Sequence, residues 1–266
     1  MLKVQYMLSH AGNPDKPNED LIFCSDNCIA VLDGATNLNG SDYGANEFVG
    51  DFVERFAPLI KSLPLPQAVC TAVTDLYRYK IGNRPAPRDI ALYSSAAAAF
   101  AVETETSLLV MTLGDCAALI FTDDGVKKIK NTALEKLDAI VTSRLKQLHE
   151  QTGADVADLL QTAEIHDMLI ENRKKMNTAD GYKSISFNLN PLTDGDVNVI
   201  DKSKIQKAVL YSDGFQSMER EIIDGMPVDE MYKILRQNEL ADRKLNKHPR
   251  FKISDDASIV CFTVKD

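Results

Sequence analysis

The stretch Cys28-Ile29-Ala30-Val31-Leu32-Asp33-Gly34 is a short apolar run that stops at an acid followed by a glycine. The same pattern returns later in the chain, in Lys207-Ala208-Val209-Leu210-Tyr211-Ser212-Asp213-Gly214. Short apolar runs bounded by such residues are typical of buried β-strands. Asp-Gly is also a favoured hairpin dipeptide, and this explains Asp124-Gly125, which lies between two strand-like runs. After Asp33 and Asp213 no strand follows at once, so on spacing alone both a turn and a metal-binding role stay open for them.

Further acids lie where other apolar runs begin or end. Glu19-Asp20 and Asp255-Asp256 each precede a run, and Gly114-Asp115 follows the run 108–113. If these strands are neighbours, their carboxylates lie within a few ångströms and repel one another unless cations neutralise them. Carboxylate oxygens select Mg²⁺ or Mn²⁺ over softer metals, and two such ions can hold a phosphoryl group between them. The acids therefore indicate a candidate site for divalent cations.

Strand-like and helical segments come in blocks along the chain. The predicted strands are 21–23, 28–32, 96–102, 108–113, 117–122, 185–189, 207–211 and 258–264. The predicted helices are 43–63, one beginning near Pro66, a charged stretch 133–176 broken near Gly153, and 228–245. Blocks of strands and helices favour antiparallel sheets faced by helices over a doubly wound parallel sheet. No glycine-rich nucleotide-binding loop is present, so the fold class predicted is a layered α+β sandwich.

Length, charge and hydropathy exclude several classes of protein. The 266 residues contain no repeat or flexible linker, and we expect a single domain over 1–266. The net charge of −9 argues against a nucleic-acid partner, which needs a basic surface. No apolar run approaches the ~18 residues of a membrane span, and the first residues are too mixed for a signal peptide, so we expect no membrane partner and a cytoplasmic location. The five cysteines, without a C-x-x-C pair, are predicted to be free thiols.

Five short motifs, taken in order, resemble those of the metal-dependent protein phosphatases of the type 2C class, which are serine/threonine phosphatases, and in particular a divergent bacterial-type member. The matching pieces are Asn18-Glu19-Asp20, Val31-Leu32-Asp33-Gly34, Leu113-Gly114-Asp115-Cys116-Ala117-Ala118, Leu210-Tyr211-Ser212-Asp213-Gly214-Phe215 and Asp255-Asp256-Ala257-Ser258-Ile259-Val260. They span nearly the whole chain. The resemblance implies the family's fold, an α+β four-layer sandwich of two antiparallel β-sheets flanked by helices, and this agrees with the block pattern.

The resemblance also implies a cofactor and a set of site residues. Two Mn²⁺ or Mg²⁺ ions are expected, with a third, weaker ion as in bacterial relatives. The implied metal-binding residues are Glu19, Asp33, the carbonyl of Gly34, Asp115 for the third ion, Asp213 and Asp255. The implied catalytic residues are Asp33, which would bridge both ions, Asp213, and Asp20, which would orient ordered water.

The chain departs from the family's pattern near the expected phosphate position. Members often carry an arginine four residues before the motif glutamate, and here that position is Asp15, with Lys16 beside it. Lysine supplies a charge but not the bidentate fork of arginine. Arg84 and Arg88 lie in a proline-broken loop and could reach a phosphate, although a solvated loop explains them better. Asp256 stands where the family usually has asparagine. The group that grips the phosphate is therefore open.

The activity that the resemblance implies is hydrolysis of phosphoserine and phosphothreonine in proteins by a metal-bridging hydroxide, without a covalent enzyme intermediate. Such an enzyme acts on a phosphorylated protein and would oppose a serine/threonine kinase. Two alternatives stay open: a catalytically weak phosphatase-like module that binds or senses a phosphorylated partner, and a phosphatase for a small phosphorylated metabolite. Residues 131–183 fall where the family places its variable flap, so we expect a helical flap-like insertion there.

Overall fold

In the computed structural model, which describes residues 1–38, 40–82, 88–188 and 192–264, the apolar runs form two antiparallel β-sheets. The strands are β1 (Leu2–His10), β2 (Asp20–Cys24), β3 (Cys28–Ala35), β4 (Ser95–Glu103), β5 (Ser107–Leu113), β6 (Ala117–Thr122), β7 (Gly125–Lys130), β8 (Ile185–Ser186), β9 (Asn198–Asp201), β10 (Ile205–Tyr211) and β11 (Ala257–Val264). The α-helices are α1 (Ala45–Leu59), α2 (Leu65–Lys80), α3 (Ala133–Thr152), α4 (Val156–Leu159), α5 (Ala163–Lys174), α6 (Glu219–Ile223) and α7 (Val228–Ala241).

The first sheet combines strands from both ends of the chain, whereas the strands of the second sheet lie between Asp20 and Asp201. The first sheet has the order β1-β11-β10-β6-β7. The second has the order β2-β3-β4-β5-β9, with β8 paired to β4. Every pair of these strands is antiparallel, as the block pattern of the sequence predicts.

Three apolar clusters define four layers. The cluster between the sheets includes Val31 of the second sheet and Leu210 of the first, both fully buried. Helices α1 and α2 cover the outer face of the second sheet, where Phe52 is fully buried. Helix α7 covers the outer face of the first sheet through Met231 and Leu235. The predicted α+β four-layer sandwich is therefore confirmed.

The apolar stripe of α1 has the period of a helix that is buried on one face. Phe48, Phe52 and Phe56 follow one another at intervals of four residues, and each is fully buried against the second sheet. Burying one such side chain contributes about 1.5–3 kcal/mol, so this stripe holds the helical layer in place. Helix α2 begins at Leu65 with Pro66 in its first turn, where the missing N–H of proline costs nothing.

Helices α3, α4 and α5 lie between β7 and β8 in the chain and have an apolar cluster of their own. Its buried residues include Leu145 and Ile165, joined by Leu245 from the segment that follows α7. That segment also contacts α4 through hydrogen bonds, because Val156 donates its backbone N–H to Asn246 Oδ1 at 3.0 Å. The helices 133–174 are thus tied to the segment that leads to Asp255.

The structure contains strands that the sequence did not reveal. β1 and β9 each lie at the edge of a sheet, and β1 buries only Leu2 fully. Edge strands bury little apolar surface, so their sequences carry a weak strand pattern. The predicted strand 185–189 is shorter, at Ile185–Ser186, and its last predicted residue lies outside the described residues.

Two further expectations concern the cysteines and membrane association. All five cysteines are free, and Cys28, Cys116 and Cys261 are buried, as predicted. Among the helices of the described ranges, none combines the length and the apolar character that crossing a bilayer requires.

Candidate active site

The predicted acids lie at one edge of the stacked sheets, where the strands that carry them begin or end. Asp33, near the end of β3, is paired in register with Asp20, the first residue of β2. Asp213 comes just after β10, and Asp255 comes just before β11. Because neighbouring strands are antiparallel, the end of one lies beside the beginning of the next. Acids that are far apart in sequence therefore meet at this edge.

A cavity of about 310 Å³ opens between these strand ends. Its carboxylates and cations, among the described residues, are Glu19, Asp33, Asp115, Asp138, Asp213, Asp255, Arg173 and Lys252. Gly34 lines the cavity too, so it contains every residue that was predicted to bind metal. Six carboxylates against two cations leave a formal charge of −4, which two divalent cations would neutralise.

Desolvation and four other carboxylates together raise the pKa of Asp33. Desolvation by burial raises the pKa of Asp33 well above its usual range. The negative charges of Asp213, Asp20, Asp115 and Asp255 raise this pKa further, in that order. Four other acids thus lie close enough to Asp33 to repel its charge, which is the arrangement expected of a central bridging ligand.

The neighbouring acids show the same two effects. Desolvation raises the pKa of Asp115, of Asp213 and of Asp255 to about 6 in each case. The next cause is a nearby carboxylate: Asp138 for Asp115, Asp115 for Asp213, and Asp213 for Asp255. A side-chain hydrogen bond with Asp33 partly offsets the rise for Asp213. Ionising all these groups together is unfavourable unless a cation enters the cluster.

Two glycines bring the acid-bearing chain ends into contact. A Cβ on Gly34 would lie 2.6 Å from the carbonyl oxygen of Glu19, which accepts a hydrogen bond of 3.1 Å from the Gly34 N–H. A Cβ on Gly214 would collide with the carbonyl oxygen of Asp256. Only glycine permits these approaches. Close packing therefore explains why a glycine follows each aspartate, whether or not a ligand binds there.

Asp20 is buried beneath the cavity and does not line it. Its side chain is 7% exposed, and its Oδ2 accepts a hydrogen bond of 2.7 Å from Ser212 Oγ. Its Oδ1 is buried and has no hydrogen-bond partner within the described part of the chain. Desolvation raises the pKa of Asp20 to about 8. A buried carboxylate oxygen without a partner needs a water or an ion, which fits the predicted role of orienting ordered water.

Asp256 holds the connection between β1 and β2. Its Oδ1 accepts a hydrogen bond of 2.8 Å from the Gly12 N–H, and its Oδ2 accepts one of 2.6 Å from the Glu19 N–H. Both oxygens act as acceptors, whereas an asparagine side chain offers only one. The aspartate at this position therefore fixes the backbone that presents Glu19.

The donor set fits hard divalent cations, although the ligands are not gathered around a point. Across residues 1–38, 40–82, 88–188 and 192–264, no three Asp, Glu, His or Cys side chains form a ready-made metal-binding group. The donors that line the cavity are oxygen atoms that carry excess negative charge, and hard oxygen donors are the ligands that Mg²⁺ and Mn²⁺ prefer. Binding an ion would need these side chains to turn toward it.

Several lining residues were missed by the sequence analysis. Asp138 comes from α3 and Arg173 from the last turn of α5, both inside the charged helical stretch that the sequence predicted. Lys252 forms an ion pair with Asp255 at 2.6 Å. Thr36 donates its hydroxyl hydrogen to the Glu19 carboxylate. No motif or periodicity marks these positions, because their place in the cavity depends on how distant segments pack.

Among the described residues, none of those considered above for phosphate binding lines the acidic cavity. Arg84 lies outside the described residues, and Arg88 is exposed and does not line the cavity. Asp15 is exposed as well. Lys16 lines a neighbouring cavity of about 570 Å³ that shares Lys252 with the first.

Comparisons with known proteins identify the family and the fold. The sequence pattern of the family described as "Protein phosphatase 2C" matches residues 9–248. A comparison with curated proteins finds no significant match.

Several solved structures share the fold over the full length of both chains. The serine/threonine phosphatase Stp1 from Staphylococcus aureus is 12% identical, with a TM-score of 0.57 over 100% of this chain and 96% of that one. The catalytic domain of the serine threonine protein phosphatase PstP, solved in complex with 2 manganese ions, is 16% identical, with a TM-score of 0.57 over 100% of both chains. The PPM Ser-Thr phosphatase MsPP from Mycobacterium smegmatis, in complex with cacodylate, is 15% identical, with a TM-score of 0.54 over 99% of this chain and 100% of that one.

Proposed function

The chain belongs to the protein phosphatase 2C family, and we propose that it hydrolyses phosphoserine and phosphothreonine in proteins with the help of two divalent cations, Mn²⁺ or Mg²⁺. The observation that carries this proposal is the single cavity lined by Glu19, Asp33, Asp115, Asp213 and Asp255. Each of the five family motifs contributes one of these acids, and they come from different strand ends. A phosphorylated protein would be the substrate, and a serine/threonine kinase would make it.

The residues divide between the two ions by their position. Asp33, which four other carboxylates repel, would contact both ions. Asp213 and Asp255, at the ends of adjacent strands of the first sheet, would complete one ion's protein ligands. Glu19 and the Gly34 carbonyl would serve the other ion. Bound divalent cations supply Lewis-acid stabilisation of the phosphoryl oxygens and a lowered pKa for a bound water.

The chain's own groups position the reactants around those ions. Asp20, fixed by Ser212 Oγ, would accept a hydrogen bond from ordered water through its free Oδ1. Thr36 holds the Glu19 carboxylate by donating its hydroxyl hydrogen. Asp115, with Asp138 as its nearest acidic neighbour, would hold the third and weaker ion. In this proposal water attacks the phosphoryl group directly, and no covalent enzyme intermediate forms.

The same proposal extends to the organisation of the chain. Residues 1–266 would form one phosphatase domain, with 131–183 as a helical flap-like insertion that contributes to partner choice. The separate apolar cluster of α3, α4 and α5 supports this division. A cytoplasmic location and the absence of nucleic-acid and membrane partners stay predictions.

One assay tests the function. Hydrolysis of phosphopeptides and of p-nitrophenyl phosphate should require Mn²⁺ or Mg²⁺, and Asp33→Asn and Asp213→Asn should each lower kcat/KM by roughly 100-fold or more. Asp124→Asn is the matched control, because Asp124 is an exposed turn aspartate that is also followed by glycine. Activity retained in both site variants, or unaffected by a chelator, would refute the proposal.

A second candidate is a phosphopeptide-binding module with little turnover, favoured by Asp15 in place of the family's arginine. The same protein preparation distinguishes the two candidates. A binding module would bind the phosphopeptide tightly, but its rate of hydrolysis with metal would not exceed the rate measured with chelator. A preference for sugar phosphates or nucleotides over phosphopeptides would instead indicate a small-metabolite phosphatase.

A further inference from the structure

Two cationic side chains line the acidic cavity in the described part of the chain, and their environments differ. Lys252 is already neutralised by its ion pair with Asp255 at 2.6 Å. Arg173 has no carboxylate oxygen within 4.0 Å among the described residues, although it shares the cavity with six acids. The positive charge of Arg173 is therefore available to bind an anionic ligand.

The position of Arg173 is fixed by neutral partners. Its Nη1 donates a hydrogen bond of 2.7 Å to Ser95 Oγ, and its Nη2 donates one of 3.2 Å to the Thr36 carbonyl oxygen. The hydroxyl of the same Thr36 donates to the Glu19 carboxylate, one of the expected metal ligands. The guanidinium thus lies next to the metal-binding edge and is held there by contacts that leave its charge unneutralised.

These contacts use two of the five N–H donors of a guanidinium. Desolvation lowers the pKa of Arg173, so its charge has lost part of its hydration without gaining a direct carboxylate partner. Tyr182 and then the carboxylates of Glu19 and Asp138 partly offset this lowering of the pKa, and neither carboxylate lies within ion-pair distance. A planar guanidinium fork matches the geometry of phosphate oxygens, and an arriving phosphoryl group would supply the missing partner.

We propose that Arg173, delivered from α5 of the helical insertion, binds the non-bridging oxygens of the substrate's phosphoryl group. It would take over the task for which many family members use an arginine before the motif glutamate, where this chain has Asp15. The inference rests on the proposed phosphatase function. It places part of the phosphate site on the insertion rather than on the amino-terminal segment.

The alternative is that Arg173 only anchors α5 to the start of β4 through Ser95. The two explanations differ in what the charge does. Arg173→Gln removes the charge and keeps an amide N–H donor, and Arg173→Lys keeps the charge without the fork. Ser95→Ala removes the hydrogen bond and leaves the guanidinium in place. Lys174→Gln is the control, since it removes the same charge from the next residue of the same helix, where the side chain is 54% exposed.

The experiment compares these variants of the full chain loaded with Mn²⁺. We measure KM and kcat on a phosphopeptide, the competitive inhibition constant of inorganic phosphate, and Mn²⁺ and phosphate binding by titration calorimetry. Arg173→Gln is expected to raise KM and to weaken phosphate binding roughly 10–100-fold, as for the loss of a hydrogen bond to a charged group. Arg173→Lys should weaken phosphate binding less, and Lys174→Gln should match the wild type. Mn²⁺ uptake should be the same in all of them.

Two results from the variants would overturn the inference. One is phosphate binding by Arg173→Gln within about twofold of the wild type, and the other is an equal loss in Ser95→Ala, which would leave only an anchoring role. If the wild type lacks turnover, the proposed function fails separately, and calorimetry with phosphate still decides the role of Arg173. Wild-type protein that takes up Mn²⁺ and binds no phosphate would also refute it.

Discussion

Replacing Asp213 by asparagine should stabilise the metal-free protein at neutral pH while removing its response to metal. The pKa of Asp213 is raised to about 6 from an ordinary value of 3.8, mainly by desolvation and then by Asp115. Ionising this group is therefore harder in the folded chain than in the unfolded chain. Stability falls as the pH rises from about 3.8 to about 6, and the full penalty is present above that window. Asparagine does not titrate and has no such penalty.

The difference between these two pKa values corresponds to at most about 3 kcal/mol. Because the neighbouring acids share the repulsion, we expect Asp213→Asn to raise the free energy of unfolding by about 1–3 kcal/mol at pH 7.5 and by well under 1 kcal/mol at pH 4. The measurement is urea denaturation, followed by circular dichroism, of chelator-treated protein at both pH values. Asp124→Asn, in the exposed turn, should change neither value by more than about 0.5 kcal/mol.

Adding Mn²⁺ should reverse the order of the two proteins. The wild type gains stability in proportion to the logarithm of the metal concentration, whereas the variant should gain little. The reasoning fails if Asp213→Asn is no more stable than the wild type at pH 7.5 without metal. It fails equally if the gain is the same at pH 4, since the gain would then not arise from the carboxylate's charge.

Two further predictions concern the backbone around the acids. Gly214→Ala should destabilise the fold by about 2 kcal/mol or more in the same denaturation experiment, because its Cβ would meet the Asp256 carbonyl oxygen. Gly50 lies in α1 with open space around it, so Gly50→Ala should stabilise the fold by about 0.5–1 kcal/mol. Equal effects at the two glycines would contradict the packing argument. Asp256→Asn should cost about 1–2 kcal/mol and weaken Mn²⁺ binding in calorimetry, because its amide can accept from only one of the Gly12 and Glu19 N–H groups. Unchanged stability and unchanged affinity would show that one acceptor is enough.

The sequence revealed the main acids because their neighbours carry strong local signals. Asp33 and Asp213 each follow a buried strand and precede a glycine that close packing requires, so the same residues that form the fold also mark the site. The buried helices were predicted for a related reason, since the stripe of Phe48, Phe52 and Phe56 has the helical period. Local pattern and tertiary position coincide at these elements.

Other parts of the site have no local signal. Asp138 and Arg173 lie on amphipathic helices with charged faces, and nothing in a helical period separates a charge that faces solvent from one that faces a cavity. The double acceptor role of Asp256 depends on residues more than 200 positions away in the chain. The edge strands β1 and β9 were missed because most of their side chains face water.

The position of Asp33 and Asp213 has a consequence for how long the folded protein lasts. Asp33 belongs to the second sheet and Asp213 follows a strand of the first, so a cation that contacts both acts as a cross-link between the two halves of the sandwich. Such a link has no counterpart in the unfolded chain, so it stabilises the joined halves for as long as the ion stays bound. Metal depletion would then make the whole molecule more susceptible to proteases, in addition to abolishing the proposed hydrolysis.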